Sequence, residues 1–404
     1  MKCFLGLSSF LYIIFLFNSC IAPEESNDLS VFRYNESKGI GTMDPAFARN
    51  QTIIWPVSQI FNGLVELDDS LNIMPCIARE WKISTDGKIY SFIIRTDVFF
   101  HPSPAFTDSS QRIVNAHDVA YSFRRILDPK TASPGRWIFN KLDTSDPDFP
   151  GGFRVVNDTL FQIRLKEAFH PFLGILSMPY CYIVPEGVVQ YYKDEFGRNP
   201  VGTGPFKFKL WRQDEKLVLV KNNDYFEIDS TGYRLPYLDA VSVSFIKDKQ
   251  SEFMEFLAGN LDMLNGVHPS YKDELLTRTG NLVKKYRAHL KLVSADYLNT
   301  EYLGILVDKK INPENPLLNI NLRKAINYGF DREKMMKYLR NNLGHPAVNG
   351  IVPFGMPGYS PREVRGYSFN TDSSLYYLAK AGYPGGKGLD EILLTTTSDY
   401  LDLC

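Results

Sequence analysis

The chain has 404 residues, a formal net charge of −1 and 23% charged residues. A chain of this length divides into two or three lobes rather than building one core. A near-zero charge balance excludes a basic nucleic-acid binder, which must displace phosphate counterions with a positive surface. Aromatics are plentiful, with 23 Tyr and 28 Phe. They suit a recognition surface, and they equally suit the strands of large mixed sheets.

The first nineteen residues read as a leader outside the fold. Lys2 supplies the positive start, and Phe4 to Phe17 is an apolar stretch too short to span a bilayer comfortably. It closes on Phe17-Asn18-Ser19-Cys20, which resembles a lipobox. On that resemblance Cys20 becomes the first mature residue and carries lipid, with several acyl chains anchoring the protein to a bacterial membrane, facing the periplasm or cell exterior. An ordinary secretory signal with a chance Cys is the alternative. Beyond Cys3 and Cys20, the odd set Cys76, Cys181 and Cys404 forms neither a disulfide framework nor a Cys-x-x-Cys metal motif. Cys76 and Cys181 stand in apolar surroundings as small core residues, and a bridge between them stays open.

After a polar tether at Glu24–Asn27, Leu29 to Tyr34 alternates as a first strand, followed by a glycine-bearing loop through Asp44-Pro45. Gln51 to Gly63 carries Ile53, Ile54, Val57, Ile60 and Phe61 at helical spacing and stops at Asn62-Gly63. Leu64 to Arg95 reads as strands around the turn Ser84-Thr85-Asp86-Gly87. Asn115 to Leu127 reads as a helix with Val119, Phe123 and Ile126 on one face, ending at Asp128-Pro129. A hairpin turns at Asn157-Asp158, and a polar helix lies around Val188–Lys193. Further strands are predicted at Phe206–Trp211, Lys216–Lys221 and Ala240–Phe245, and a helix near Ser251–Leu257. Later come helices at Leu322–Gly329, Glu333–Leu339 and from Tyr376 to Ala381, then a β-branched strand at Ile392–Thr397. Strands mixed with helices throughout predict an α/β class with mixed sheets.

Enzyme motifs are absent. His101, His117, His170, His268, His289 and His345 stand apart, with no His-Glu-x-x-His and no Gly-x-Ser-x-Gly. Gly202-Thr203-Gly204 is followed by a strand, not a helix, so it reads as structural rather than as a phosphate cradle. No catalytic residue, metal site or cofactor is assigned.

Blocks in series carry a family resemblance. They begin with Phe61-Asn62-Gly63-Leu64-Val65, Asp86-Gly87-Lys88-Ile89-Tyr90-Ser91-Phe92 and Asn115-Ala116-His117-Asp118-Val119-Ala120-Tyr121-Ser122-Phe123-Arg124-Arg125. They continue with Pro200-Val201-Gly202-Thr203-Gly204-Pro205-Phe206, Leu257-Ala258-Gly259-Asn260-Leu261-Asp262 and Leu322-Arg323-Lys324-Ala325-Ile326-Asn327-Tyr328-Gly329-Phe330-Asp331-Arg332. In this order they resemble bacterial extracellular solute-binding proteins of family 5, which bind oligopeptides, dipeptides or nickel for ABC importers.

The resemblance implies a periplasmic-binding-protein type II-like fold with mixed sheets in two hinged lobes plus an inserted domain, the C-terminal part ending early at Cys404. It implies a leader at 1–19, a first lobe from 20–63 and 200–290, an inserted lobe at 64–199 and a third, incomplete lobe at 291–404. It also implies a monomeric, lipid-anchored binder of peptides that delivers them to a permease driven by a separate ATPase. Alternatives are a nickel complex, sugar or haem as ligand, or an exported hydrolase. Carried over residue by residue, Glu36, Trp137, Asn265 and Thr396 match positions at or near the ligand. The acid that grips the ligand's amino group in the family falls beyond Cys404.

Overall fold

The computed structural model describes residues 29–295 and 297–396. The leader, its lipobox, Cys20, Thr397 and Cys404 lie outside the described residues. The chain forms two compact units, Met1–Leu264 and Asn265–Cys404.

The first unit is built on two four-stranded sheets. One has the order β1 (Val31–Asn35), β10 (Ala240–Ser244), β9 (Lys216–Lys221) and β8 (Phe206–Arg212). Strands β1 and β10 are parallel and the other pairs antiparallel. Beyond β1, Tyr34 bridges Met263 in parallel, and the Asp262 carboxylate accepts the Arg33 N–H at 2.6 Å. The Asp of the Gly259-Asn260-Leu261-Asp262 block therefore covers a sheet edge. The second sheet has the order β4 (Ala78–Ile83), β5 (Ile89–Ile94), β7 (Leu160–Arg164) and β6 (Phe153–Asn157). Between the two sheets in sequence, β2 (Val65–Leu67) pairs with β3 (Ile73–Pro75).

Side-chain periodicity explains the core. On β5, Tyr90, Phe92 and Ile94 are buried and alternate with half-buried neighbours. Helix α1 is Gln51–Ile60 and α2 is Ala116–Leu127. Asn115 and Asp118 form a reciprocal capping box that starts α2. Its Phe123 meets Phe139, Phe153 and Phe161 at centroid distances of 5.1, 5.9 and 5.8 Å, in tilted or edge-on contacts. Cys76 and Cys181 are buried and free, so the open question of a bridge closes in favour of two thiols.

Two polar constructions tie this unit together. Asp44, 5% exposed, receives both arms of Arg125 of α2, at 2.9 and 2.5 Å, and also the Ala46 N–H at 3.0 Å. The loop after β1 is thereby bound to a helix of the second sheet. The other is a knot around Gly202-Thr203-Gly204. Gly204 N–H donates to Ile60 O at 2.7 Å, His101 N–H to Gly202 O at 2.7 Å, and Asn222 Nδ2 to Gly204 O at 3.0 Å. The Thr203 hydroxyl donates to Asn62 Oδ1 at 2.9 Å. A Cβ on Gly202 would lie 2.2 Å from Ile60 O, and one on Gly204 2.5 Å from Gln59 O. These glycines exist to let two backbones touch.

The knot also explains where α1 ends. The helix stops at Ile60 with Phe61 extended, short of the expected Asn62-Gly63. Its last carbonyl is taken by Gly204 from a distant segment, so a tertiary contact rather than a local glycine terminates it.

Helices continue between and after the sheets as α3 (Phe172–Leu176), α4 (Glu186–Tyr192) and α5 (Lys249–Leu257). The second unit contains α6 (Lys272–Leu275), α7 (Ile320–Gly329), α8 (Arg332–Leu339) and α9 (Thr371–Lys380). Helix α9 starts five residues before the expected Tyr376, because Asn370 caps it through the Ser373 N–H at 2.7 Å. The expected strand at Ile392–Thr397 is not formed over 392–396, where Leu393 is 86% exposed. β-branched composition gives a segment strand propensity, but a strand exists only with a ladder partner, and none lies beside it among the described residues.

Replacing Gly204 with Ala should lower stability by about 1–3 kcal/mol or more, because the new methyl meets backbone that cannot yield. Asp44→Ala should cost about 3 kcal/mol by stranding the largely buried Arg125, whose side chain is 14% exposed. Urea unfolding followed by far-ultraviolet circular dichroism measures both.

Candidate functional site at the carboxyl ends of two parallel strands

In open sheets with helical connections, ligands bind outside the carboxyl ends of parallel strands. Strands β1 and β10 are such a pair, and Glu36 is the first residue beyond β1. Its position is fixed from the backbone outward. The Glu36 N–H donates to Ser244 O at 2.9 Å. Asn35 and Ile246 then exchange two hydrogen bonds, Asn35 Nδ2 to Ile246 O at 2.9 Å and Ile246 N–H to Asn35 Oδ1 at 2.7 Å. This side-chain clamp extends the ladder past its last backbone pair and holds Glu36 level with the turn into α5.

The Glu36 carboxylate is half-buried, with one oxygen accepting the Lys38 N–H at 3.2 Å. Burial pushes its pKa above the usual carboxylate range, and Glu252 adds to the push; the Lys38 N–H, Lys249 and Lys38 pull the other way. Lys249 is itself bonded to Glu252, which is 3% exposed, at 2.8 Å. The arrangement is a partly desolvated acid beside a lysine already engaged by a second acid. An approaching ammonium group would restore the charge balance that burial disturbs.

Trp137 stands on a 3-10 turn, Pro134–Phe139, capped by Ser133, whose Oγ accepts the Gly135 N–H at 3.1 Å and donates to Ala46 O at 2.5 Å. Ile138 and Phe139 are buried while the Trp137 indole is 47% exposed, so a fixed turn presents a large apolar face to solvent. Asn265 and Thr396 belong to the second unit, and both are exposed. Glu36 and Trp137 therefore share a unit on separate elements, and Asn265 and Thr396 share the other.

Sequence reasoning missed the Lys249–Glu252 pair at the candidate site. The available signal was Asp248 as a cap: it accepts the Ser251 N–H at 2.7 Å and starts α5 at Lys249, two residues before the expected Ser251. His101 is 3% exposed, with one ring nitrogen 2.9 Å from Gly204 O and the other 3.4 Å from the Gly202 N–H, so it belongs to the glycine knot.

The family model described as "Bacterial extracellular solute-binding proteins, family 5 Middle" matches residues 72–402. The chain belongs to this family. Heme-binding protein A of Haemophilus influenzae is 29% identical over 338 residues, 81% of this chain and 57% of that protein. Dipeptide-binding protein DppE of Bacillus subtilis is 25% identical over 384 residues, 89% of this chain and 65% of that protein. Among solved structures, the ABC transporter-associated periplasmic binding protein DppA from Helicobacter pylori in complex with peptide STSA is 26% identical with a TM-score of 0.69. That match covers 88% of this chain and 66% of the other. The fold is thus that of the periplasmic-binding-protein type II-like peptide binders, and the similar proteins are solute binders rather than enzymes. The chain spans 57 to 65% of the length of these two curated relatives.

Burial holds the pKa of His101 down at about 4 against an ordinary 6.5. The unfolded chain binds a proton there that the folded one refuses, so His101 makes stability fall as pH drops from about 6.5 to 4, by up to about 3 kcal/mol. Asp118 works oppositely: burial, helped by Glu186, raises its pKa to about 7, so its share is lost as pH rises from about 4 to 7. Urea midpoints across that range should show a shallower acid-side loss in His101→Gln than in the native chain.

Proposed function

We propose that this chain is the lipid-anchored, peptide-binding component of an ABC importer, tethered through Cys20, with Glu36, Trp137, Asn265 and Thr396 facing the ligand. One observation carries the reading within a family of solute binders: a partly desolvated Glu36 clamped beyond the carboxyl ends of two parallel strands. A peptide held extended by main-chain hydrogen bonds is bound without strong side-chain choice, but its charged groups need opposite partners. Glu36 is a ready partner for a cationic group, and the Trp137 indole offers an apolar contact. The named relatives that bind a dipeptide or a peptide support this ligand class.

The lobes proposed are 20–63 with 200–290, an insert at 64–199 and a third at 291–404. Strand pairing supports the first two, since Val31–Asn35 joins Ala240–Ser244 in one sheet while Ala78–Arg164 supplies the other. Closure of hinged lobes over the peptide would be the state the permease senses. The delivery partners are a transmembrane permease and its separate ATPase, and the protein acts as a monomer. Haem is the second reading, favoured by the 29% identity to Heme-binding protein A.

Isothermal titration and thermal shift with short peptides and with haemin separate the two. A peptide ligand at a hundredfold excess over Kd should add about 2.7 kcal/mol of stability. Glu36→Gln should weaken peptide binding about tenfold, or ~1.4 kcal/mol. A shift with haemin and none with peptides would overturn the proposal.

A further inference from the structure

Glu66, Cys76 and Glu227 bring two carboxylate oxygens and one thiol sulfur within 4.8 Å of one another. Backbone pairing fixes the first two. Val65 of β2 opposes Pro75 of β3, and the Cys76 N–H donates to Leu64 O at 3.2 Å. Glu66 and Cys76 are therefore diagonal neighbours on one face of a hairpin. Glu227 arrives from the loop after β9. Two residues earlier on that loop, the Tyr225 hydroxyl accepts Asn62 Nδ2 at 3.4 Å; Asn62 in turn accepts the Thr203 hydroxyl at 2.9 Å. The glycine knot thus anchors, at Tyr225, the loop that carries Glu227.

The set differs from an ordinary acidic surface patch in its sulfur, which belongs to a residue only 2% exposed. The nearby Arg95 guanidinium is bonded to Asp97 at 2.9 and 2.7 Å. Two carboxylates brought together at one buried sulfur repel each other, and a divalent cation placed between them would offset that repulsion.

We propose that Glu66, Cys76 and Glu227 bind a divalent transition-metal ion of the zinc class, leaving a fourth position open. A sulfur donor selects against magnesium and calcium, and three protein ligands around a tetrahedral ion leave room for water or a solute group. On binding, the Cys76 S–H bond breaks, its proton passes to solvent, and a sulfur–metal bond takes its place. The ion would fasten the loop after β9 to the β2–β3 hairpin. This site is separate from the peptide proposal and stands or falls without it.

The test is titration of the full chain, reduced, stripped of metal and held in mild detergent, with Co²⁺. One equivalent should produce a near-ultraviolet thiolate-to-cobalt band, release protons, and be displaced by Zn²⁺. Cys76→Ser should abolish the band, and Glu227→Gln, which lies nearer the surface, should weaken cobalt binding about tenfold or more. Circular dichroism without metal checks that the variants fold; if Cys76→Ser does not, Glu66→Gln and Glu227→Gln decide. Absence of the band, its survival in Cys76→Ser, or cobalt affinity unchanged in both Gln variants would overturn the assignment.

Discussion

The backbone contact between Gly202-Thr203-Gly204 and the end of α1 is the constraint on which the first unit depends. It is made where the chain, having built the second sheet, begins β8 of the first. Four distant segments meet there through Ile60, His101, Gly204 and Asn222. Each polar group in the knot is nearly excluded from water: Thr203 and Asn222 are 1% exposed and His101 3%. Groups buried this deeply must be paired, so the knot tolerates one arrangement of its segments.

From that point the candidate site follows mechanically. Fixing β8 fixes β9 and β10 by antiparallel pairing, and β10 fixes β1 by parallel pairing. The Asn35–Ile246 clamp then carries order one residue past the strands, to Glu36. The loop beyond Glu36 is pinned again at Asp44 by Arg125. The backbone around Glu36 is thereby fixed on both sides, while its carboxylate stays half-buried.

The second unit rests on different terms. Among the described residues its buried hydrophobic ones are few, Tyr271, Leu275, Leu276, Leu322 and Ala325, while Val293, Tyr302, Ile311, Ile351 and Leu393 are each more than 60% exposed. Helices α7 and α9 flank an apolar groove of about 370 Å³ lined by Leu322, Ile326, Phe330, Leu378 and Ile392. With little apolar surface removed from water among them, these described residues draw less stabilisation from burial than those of the first unit.

The sequence by itself determined the class, the family, and the local elements that carry their own signals. The alternation of Ile89–Ile94, the Asn115 and Asp118 cap, and the structural rather than phosphate-binding reading of Gly202-Thr203-Gly204 were all legible, because each depends on neighbours a few residues away. The candidate residue Glu36 was readable only through the family resemblance. The tertiary structure alone decided that α1 ends against Gly204, that Asp44 meets Arg125, that Lys249 and Glu252 flank Glu36, that Cys76 faces two acids, and that 392–396 stays unpaired. Those outcomes depend on groups far apart in sequence. A side chain's partners, and a strand's very existence, are settled when distant segments close on one another, and local periodicity carries no record of that meeting.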